Sequence, residues 1–173
     1  MKGFLSLCDR GAVLLGGKAI ADGTNRIHAG SHAVSAMNLL GTFAPYMTVH
    51  QDSVVKIDKD IPFQTAAIMG CAVPTGFGSA TNVAEVKPGE TVIIVGVGGI
   101  GMSALQGAVL SGARRVIAID PVPFKRDQAI KFGATHVYPS MAEAIMPVME
   151  ETWGLMADKV IIAVGDMKGE YIE

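Results

Sequence analysis

The residues with the clearest chemical purpose are three glycines followed by an acid. Gly96, Gly98 and Gly101 form a Gly-x-Gly-x-x-Gly sequence directly after an apolar, β-branched run, and Asp120 lies nineteen positions beyond Gly101. In a dinucleotide site the first glycine allows a tight turn, the second lets the backbone approach a diphosphate, and the third lets a helix pack on its strand. The sequence therefore predicts a turn whose N–H groups and helix dipole attract a diphosphate.

Asp120 bears on which dinucleotide would bind. A carboxylate at this position accepts hydrogen bonds from the adenosine ribose hydroxyls and repels a 2′-phosphate, which favours NAD over NADP. Lys125, five positions further on, is a candidate to hydrogen-bond the same ribose, and the alternative for it is a solvated charge on a helix. For the motif as a whole, the alternative is a set of glycines that serve only the packing of a parallel sheet.

Composition narrows the classes of function. Half of the 173 residues are hydrophobic, so a sizeable core is possible, and the formal charge is only −2. Without a run of Lys or Arg, we expect no nucleic-acid partner. The apolar runs have the length of buried strands, so we expect no membrane partner either. The cysteines, Cys8 and Cys71, are far apart and are expected to be thiols or metal ligands in a cytoplasmic protein.

The elements that must position the glycine turn alternate between strand and helix. The predicted strands begin at Thr91, Arg115, Thr135 and Lys159, and the predicted helices cover residues 102–112, 125–132 and 141–152. Trp153 is expected to anchor the last of these helices to the core. The alternation predicts an α/β fold, a partial Rossmann doubly wound parallel sheet with about four of the usual six strands.

The sequence before the sheet is less regular. Residues 1–41 are rich in glycine and predict a loop-rich lobe with short strands, and two more strands are expected at 46–50 and 53–57. Helices rich in small or apolar residues are expected at 63–69 and 75–84. We therefore expect two domains, a β-rich one over residues 1–62 and a cofactor domain over residues 63–173.

Three segments together resemble the zinc-dependent medium-chain alcohol dehydrogenases. They are Leu7-Cys8-Asp9, the run Gly70-Cys71-Ala-Val-Pro-Thr75-Gly-Phe-Gly78, and residues 96–101 with Asp120. The Gly-Ala134-Thr-His turn and Thr152-Trp153-Gly look most like the bacterial branch described as NDMA-dependent. The resemblance implies that residues 1–62 are the β-rich tail of a GroES-like catalytic domain, including the end of its structural-zinc lobe. It implies that residues 63–173 are an incomplete NAD-binding Rossmann domain.

The resemblance also implies roles for single residues. Cys71 would be a ligand of the catalytic zinc, and Cys8 would be the last of four cysteine ligands of a structural zinc. Thr75 would lie beside the nicotinamide ring, and Ile100 would pack against the ring or its ribose. The residues implied to hold the dinucleotide are Thr75, Gly96, Gly98, Gly99, Ile100, Gly101, Asp120 and Lys125. In such enzymes zinc acts as a Lewis acid that stabilises the alkoxide from which a hydride passes to nicotinamide.

The sequence does not contain a complete zinc site. Zinc needs about four donors, and a lone thiolate cannot close such a shell. The other ligands of such an enzyme and the last strands of its cofactor domain have no counterpart here. We therefore interpret the chain as an internal segment, roughly half of a full-length enzyme, from a truncated gene product or an incomplete gene model. Such a segment is not expected to retain zinc or to be active alone.

The function implied is that of a zinc- and NAD-dependent alcohol dehydrogenase acting on a small alcohol or aldehyde. Enzymes of this type pair as homodimers or homotetramers through an edge strand that should lie beyond Glu173. Two alternatives stay open. One is a zinc-free quinone reductase of the same superfamily, against which Cys71 argues. The other is a non-catalytic nucleotide-binding remnant that keeps part of the Rossmann sheet.

Overall fold

The computed structural model describes residues 16–19, 22–36, 42, 44–47, 49 and 54–165. Cys8 and its predicted zinc role lie outside the described residues. The chain divides into two compact units, Met1–Asp58 and Lys59–Glu173. None of the helices in the described part of the chain has the length and apolar composition needed to cross a lipid bilayer.

The described part of the first unit contains a small antiparallel hairpin, in which β1 (Ile27–Ala29) pairs with β2 (His32–Val34). Gly30 at its turn has a φ of 63°, a conformation that glycine adopts without strain. The hairpin agrees with the short strands expected over residues 1–41.

The strands expected at 46–50 and 53–57 are wrong for the residues that can be checked, because 46, 47, 49 and 54–57 join no ladder. Val55, for instance, is 87% exposed. Strand propensity alone does not create a strand without a partner strand, and the described residues provide none here. Residues 48 and 50–53 lie outside the described residues.

The second unit is built on a parallel sheet flanked by helices. Its strands are β3 (Thr91–Val95), β4 (Arg115–Ile119), β5 (His136–Tyr138) and β6 (Lys159–Ile162), and its helices are α1 (Phe63–Met69), α2 (Ala72–Gly78), α3 (Gly99–Leu110), α4 (Pro123–Lys131) and α5 (Met141–Glu151). The strand order is β5-β4-β3-β6, with every pair parallel. This is the 3-2-1-4 order of a doubly wound dinucleotide sheet. The predicted α/β fold with about four parallel strands is confirmed.

The core lies on both faces of β3 and β4. Every residue of β3 and four of the five residues of β4 are buried, which is typical of parallel strands covered by helices on both sides. Alternate side chains divide between the faces: Ile94 packs with Leu105 of α3, and Ile93 packs with Val148 of α5. The carboxyl ends of the two central strands are therefore held firmly at one edge of the sheet.

Three helices begin earlier than the sequence predicts, and one of them is α4, which starts at Pro123 instead of residue 125. α2 starts at Ala72 instead of residue 75, because Pro74 is accommodated in a first helical turn, and a π-helical turn at Ser79–Val83 continues it. α3 starts at Gly99 instead of residue 102, so the last glycines of the motif are themselves helical. Helix propensity placed these starts too late because it penalises glycine and proline without regard to position.

Trp153 does not anchor α5 to the core, so that prediction is wrong. Its side chain is 82% exposed, and its φ of 52° places it in the left-handed region just after the helix. Thr152 closes the helix end instead: its Oγ1 donates to the Val148 oxygen at 2.6 Å and accepts from the Met156 N–H at 2.9 Å. The buried hydroxyl of Thr152, and not the indole of Trp153, makes the contacts at this end of α5.

Candidate functional site

The glycine turn lies at the carboxyl end of β3, between the ends of β4 and β6. The Gly96 N–H donates to the Ile119 oxygen at 2.7 Å, and the Ala163 N–H donates to the Val95 oxygen at 2.8 Å. The chain leaves β3 toward β4, and β6 returns on the other side, so this edge is the topological switch point of the sheet. Open parallel sheets bind ligands in the crevice at such a point.

Two glycines of the turn are required by the backbone itself. Gly96 has a φ of 83°, and a Cβ added to it would lie 2.8 Å from the Ala163 oxygen. A Cβ added to Gly101 would overlap the main-chain oxygen of Gly96. Larger residues at either position would push β3, β6 and α3 apart, so these glycines are needed whatever occupies the crevice.

Gly98 differs from both, because the space beside it is open. Nothing lies within 4 Å of a Cβ built at Gly98, and its φ of −74° is one that other residues adopt. The residue precedes α3, whose N-terminus has no side-chain cap. The first N–H groups of a helix lack partners within the helix, and the positive end of the dipole lies there too. Backbone and free space together form a cradle of the kind that admits a diphosphate.

Asp120 follows β4 and is brought next to the glycine turn. The residue is 3% exposed; its Oδ2 accepts from the Val97 N–H at 3.0 Å and its Oδ1 accepts from the Val122 N–H at 2.9 Å. Lys125 places its Nζ 3.5 Å from Oδ2. A carboxylate offers about four acceptor positions, so acceptor capacity remains beside these partners. The structure therefore brings Gly98, Asp120 and Lys125 to one crevice.

Two groups that form hydrogen bonds with Asp120 were missed by the sequence analysis. Val97 contributes a main-chain N–H, which any residue except proline supplies and which leaves no trace in a sequence pattern. Arg126 donates from Nη1 to the main-chain oxygen of Asp120 at 2.6 Å. The two adjacent cations, Lys125 and Arg126, shortly after the acid were the signal that could have identified it.

α2 is packed directly on the helix that follows the glycine turn. A Cβ added to Gly76 would overlap the Ile100 oxygen and lie 2.7 Å from the Ser103 Cβ, so glycine sets the approach of α2 to α3. Thr75, beside Gly76, is exposed, and the Ile100 side chain is 41% exposed. The helix that begins after Cys71 is thereby fixed against the candidate dinucleotide cradle.

The described residues do not fit a zinc site on their own. Cys71 is an exposed free thiol at the position before α2. Within the part of the chain that the structure describes, no three His, Cys, Asp or Glu side chains come together as a group able to hold a metal ion. Since zinc needs about four donors, Cys71 could supply at most one of them here.

Comparison with known sequences supports the resemblance. The family of zinc-binding dehydrogenases matches residues 99–169. Alcohol dehydrogenase B of Mycobacterium tuberculosis is 57% identical over 99% of this chain. The NDMA-dependent alcohol dehydrogenase of Amycolatopsis methanolica is 49% identical over 92% of it. The chain spans 46% and 43% of the length of these two relatives.

Solved structures agree with the sequence relatives. The alcohol dehydrogenase zinc-binding domain protein from Burkholderia ambifaria matches 65% of this chain with a TM-score of 0.60 and 32% identity. Benzyl alcohol dehydrogenase from Acinetobacter calcoaceticus matches 65% with a TM-score of 0.59 and 32% identity. The chain covers 30% and 31% of these two structures. Together with the sequence relatives, they confirm the resemblance drawn from the three segments: the chain belongs to the zinc-dependent medium-chain alcohol dehydrogenase family.

Proposed function

We propose that this chain is the cofactor-binding part of an alcohol dehydrogenase that transfers a hydride between a small alcohol or aldehyde and NAD. One observation carries the proposal. The open backbone at Gly98 and the buried carboxylate of Asp120 meet at the switch point of a parallel sheet. The first is suited to a diphosphate and the second to ribose hydroxyls.

In this proposal each group of the crevice has one task. The N–H groups at the start of α3 hold the diphosphate, and Asp120 accepts from the adenosine ribose with Lys125 beside it. A 2′-phosphate would be brought against the Asp120 carboxylate, so NAD is preferred to NADP. Thr75 and Ile100, both exposed on helices packed against each other, would border the nicotinamide end. When bound, NAD supplies the hydride acceptor.

For zinc we propose a narrower role. Cys71 would contribute one thiolate to a catalytic site, and Cys8 one to a structural site, in a protein that supplies the other ligands. We also propose that residues 1–62 belong to a GroES-like domain and residues 63–173 to the Rossmann domain. The division of the chain after Asp58 lies close to that boundary and supports it. A cytoplasmic location and a homodimeric or homotetrameric enzyme complete the proposal.

NADH and NADPH titrations of the purified chain test the cofactor assignment. We expect NADH to bind more tightly than NADPH by on the order of tenfold, because a buried carboxylate repels the extra phosphate. Asp120→Asn should reduce that preference, whereas Asp127→Asn, an exposed acid on α4, should leave it intact. Equal affinity for the two cofactors, or no binding of either, would refute an NAD site at Asp120.

A turnover assay separates catalysis from simple binding. With NAD and short alcohols, we expect the 173-residue chain to bind cofactor without sustained turnover, because the described residues assemble no zinc site. Appreciable rates from the chain alone would contradict this expectation. The quinone-reductase alternative would instead predict NADPH-driven reduction of a quinone without metal, and detection of that activity would favour it.

A further inference from the structure

We infer that Asp120 has a second task, which is to hold the glycine turn in the shape that receives a diphosphate. The ligand part of this inference rests on the proposed dinucleotide site, but the hydrogen bonds behind it are independent of any ligand. Asp120 would then be a positioning residue for the turn, in addition to a partner for ribose.

The two oxygens of the carboxylate bond to main-chain groups in two different segments. Oδ2 accepts from the N–H of Val97, which stands between the first two glycines of the motif, and Oδ1 accepts from the N–H of Val122 in the loop before α4. Val97 is 2% exposed, so water cannot easily replace the carboxylate as its partner. One side chain thus links the segments that follow two neighbouring strands.

The backbone of Asp120 is itself fixed on both sides. Its N–H donates to the Tyr138 oxygen at 3.1 Å, and its oxygen accepts from Arg126 at 2.6 Å. The carboxylate therefore projects from a rigid point at the end of β4. The residue is only 3% exposed, and each oxygen of its carboxylate already accepts from a main-chain N–H, so the side chain is held in place before any ligand arrives. Its placement suits a support as well as a ligand.

Amide hydrogen exchange on the unloaded full chain tests the support role directly. In Asp120→Ala we expect the Val97 and Val122 amides to exchange on the order of tenfold faster, because both lose a buried acceptor. The matched control, Asp127→Ala, removes an exposed acid from α4 and should change neither amide. Unchanged exchange at Val97 in a folded Asp120→Ala chain would overturn the inference. The inference would also be overturned if the Val97 amide of the unmodified chain exchanged as fast as an exposed amide. This second outcome does not depend on whether any variant folds.

A second measurement asks whether the support matters for the ligand. The probes are NADH and an NADH analogue that lacks the 2′ and 3′ hydroxyls of the adenosine ribose. If Asp120 shapes the turn, Asp120→Ala weakens binding of the analogue several-fold as well as that of NADH. If analogue affinity is unchanged, Asp120 acts on ribose alone and the inference fails. If the unmodified chain binds no NADH while Val97 is protected through Asp120, the proposed function fails and the support role stands.

Discussion

Arg126 donates a hydrogen bond from Nη1 to the main-chain oxygen of Asp120 across 2.6 Å. The contact ties the first turn of α4 to the end of β4, directly behind the carboxylate. We expect Arg126→Gln to weaken NADH binding by about 1–2 kcal/mol, because a charged hydrogen bond that fixes Asp120 is lost. Fluorescence titration measures the effect. Arg126→Lys should restore part of the affinity, and Arg114→Gln, at an exposed arginine, should have none of these effects. An unchanged NADH affinity in Arg126→Gln would show that the hydrogen bond from Arg126 is not needed to position Asp120.

Gly98 and Gly101 are expected to respond differently to alanine. Gly98→Ala should keep the free energy of unfolding within about 0.5 kcal/mol, since no atom lies within 4 Å of the added Cβ. It should weaken NADH binding roughly tenfold or more, because the Cβ occupies the space proposed for the diphosphate. Thermal unfolding and NADH titration on the same samples separate the two effects.

Gly101→Ala is the matched comparison, because its Cβ would overlap the Gly96 oxygen. We expect a loss of about 1–3 kcal/mol of stability or more, as for other overpacked sites. For Gly98→Ala, an NADH affinity equal to that of the unmodified chain would show that the diphosphate does not lie beside Gly98.

The sequence was sufficient for the sheet and for the main parts of the candidate site. Continuous apolar runs separated by helical segments predicted the parallel strands, and the spacing from Gly101 to Asp120 predicted a carboxylate at the neighbouring strand end. These signals are strong because burial on both faces and backbone close approach restrict the residue types allowed.

Other features had no comparable signal. The Val97 N–H bond to Asp120 uses a main-chain donor. The strand expected at 53–57 depended on a partner strand, and none lies beside residues 54–57 in the described part of the chain. The exposure of Trp153 follows from the way Thr152 terminates α5, a tertiary detail that amino-acid type does not reveal. Pairing and helix termination are set by neighbours in space, which a linear pattern does not contain.

Asp22 in the first unit gives a pH-dependent prediction. A hydrogen bond from the Thr24 N–H, helped by Arg26, lowers the pKa of Asp22 from 3.8 to about 2. Since the folded pKa lies below the unfolded one, any stabilising effect is present above pH 3.8 and is lost as the pH falls through about 2. Carbon NMR titration of the carboxyl group should show the low midpoint. Arg26→Gln should move it upward, while Lys18→Gln should not; a midpoint at 3.8 in the unmodified chain would contradict the turn geometry.

The only tryptophan gives a simple optical test. Trp153 is 82% exposed, so its emission should resemble that of hydrated indole and be quenched efficiently by iodide or acrylamide. We expect Trp153→Ala to change the free energy of unfolding by only about 0.5 kcal/mol, far less than removal of a buried tryptophan. Val148→Ala, which truncates a side chain 1% exposed on α5, is the destabilising comparison. Blue-shifted emission that iodide and acrylamide do not quench would show that the indole is buried and would contradict its exposure in the structure.

Metal removal should have little effect on the chain by itself. We expect a chelator to leave the unfolding midpoint unchanged and Cys71 to react readily with a thiol reagent, because the thiol is exposed and no metal-binding group forms among the described residues. Cys71→Ser should remove one reactive thiol, leaving Cys8 as the remaining cysteine, and keep the same midpoint. A chelator that lowers the midpoint of the unmodified chain would indicate that donors outside the described residues complete a site.

The absence of a side chain at Gly76 has a mechanical consequence. At Gly76 the main chain of α2 lies directly against that of α3, without a side chain between them, and we expect the two helices to move together. A displacement that a bound nucleotide imposed on α3 would then also move α2, the helix that begins directly after Cys71.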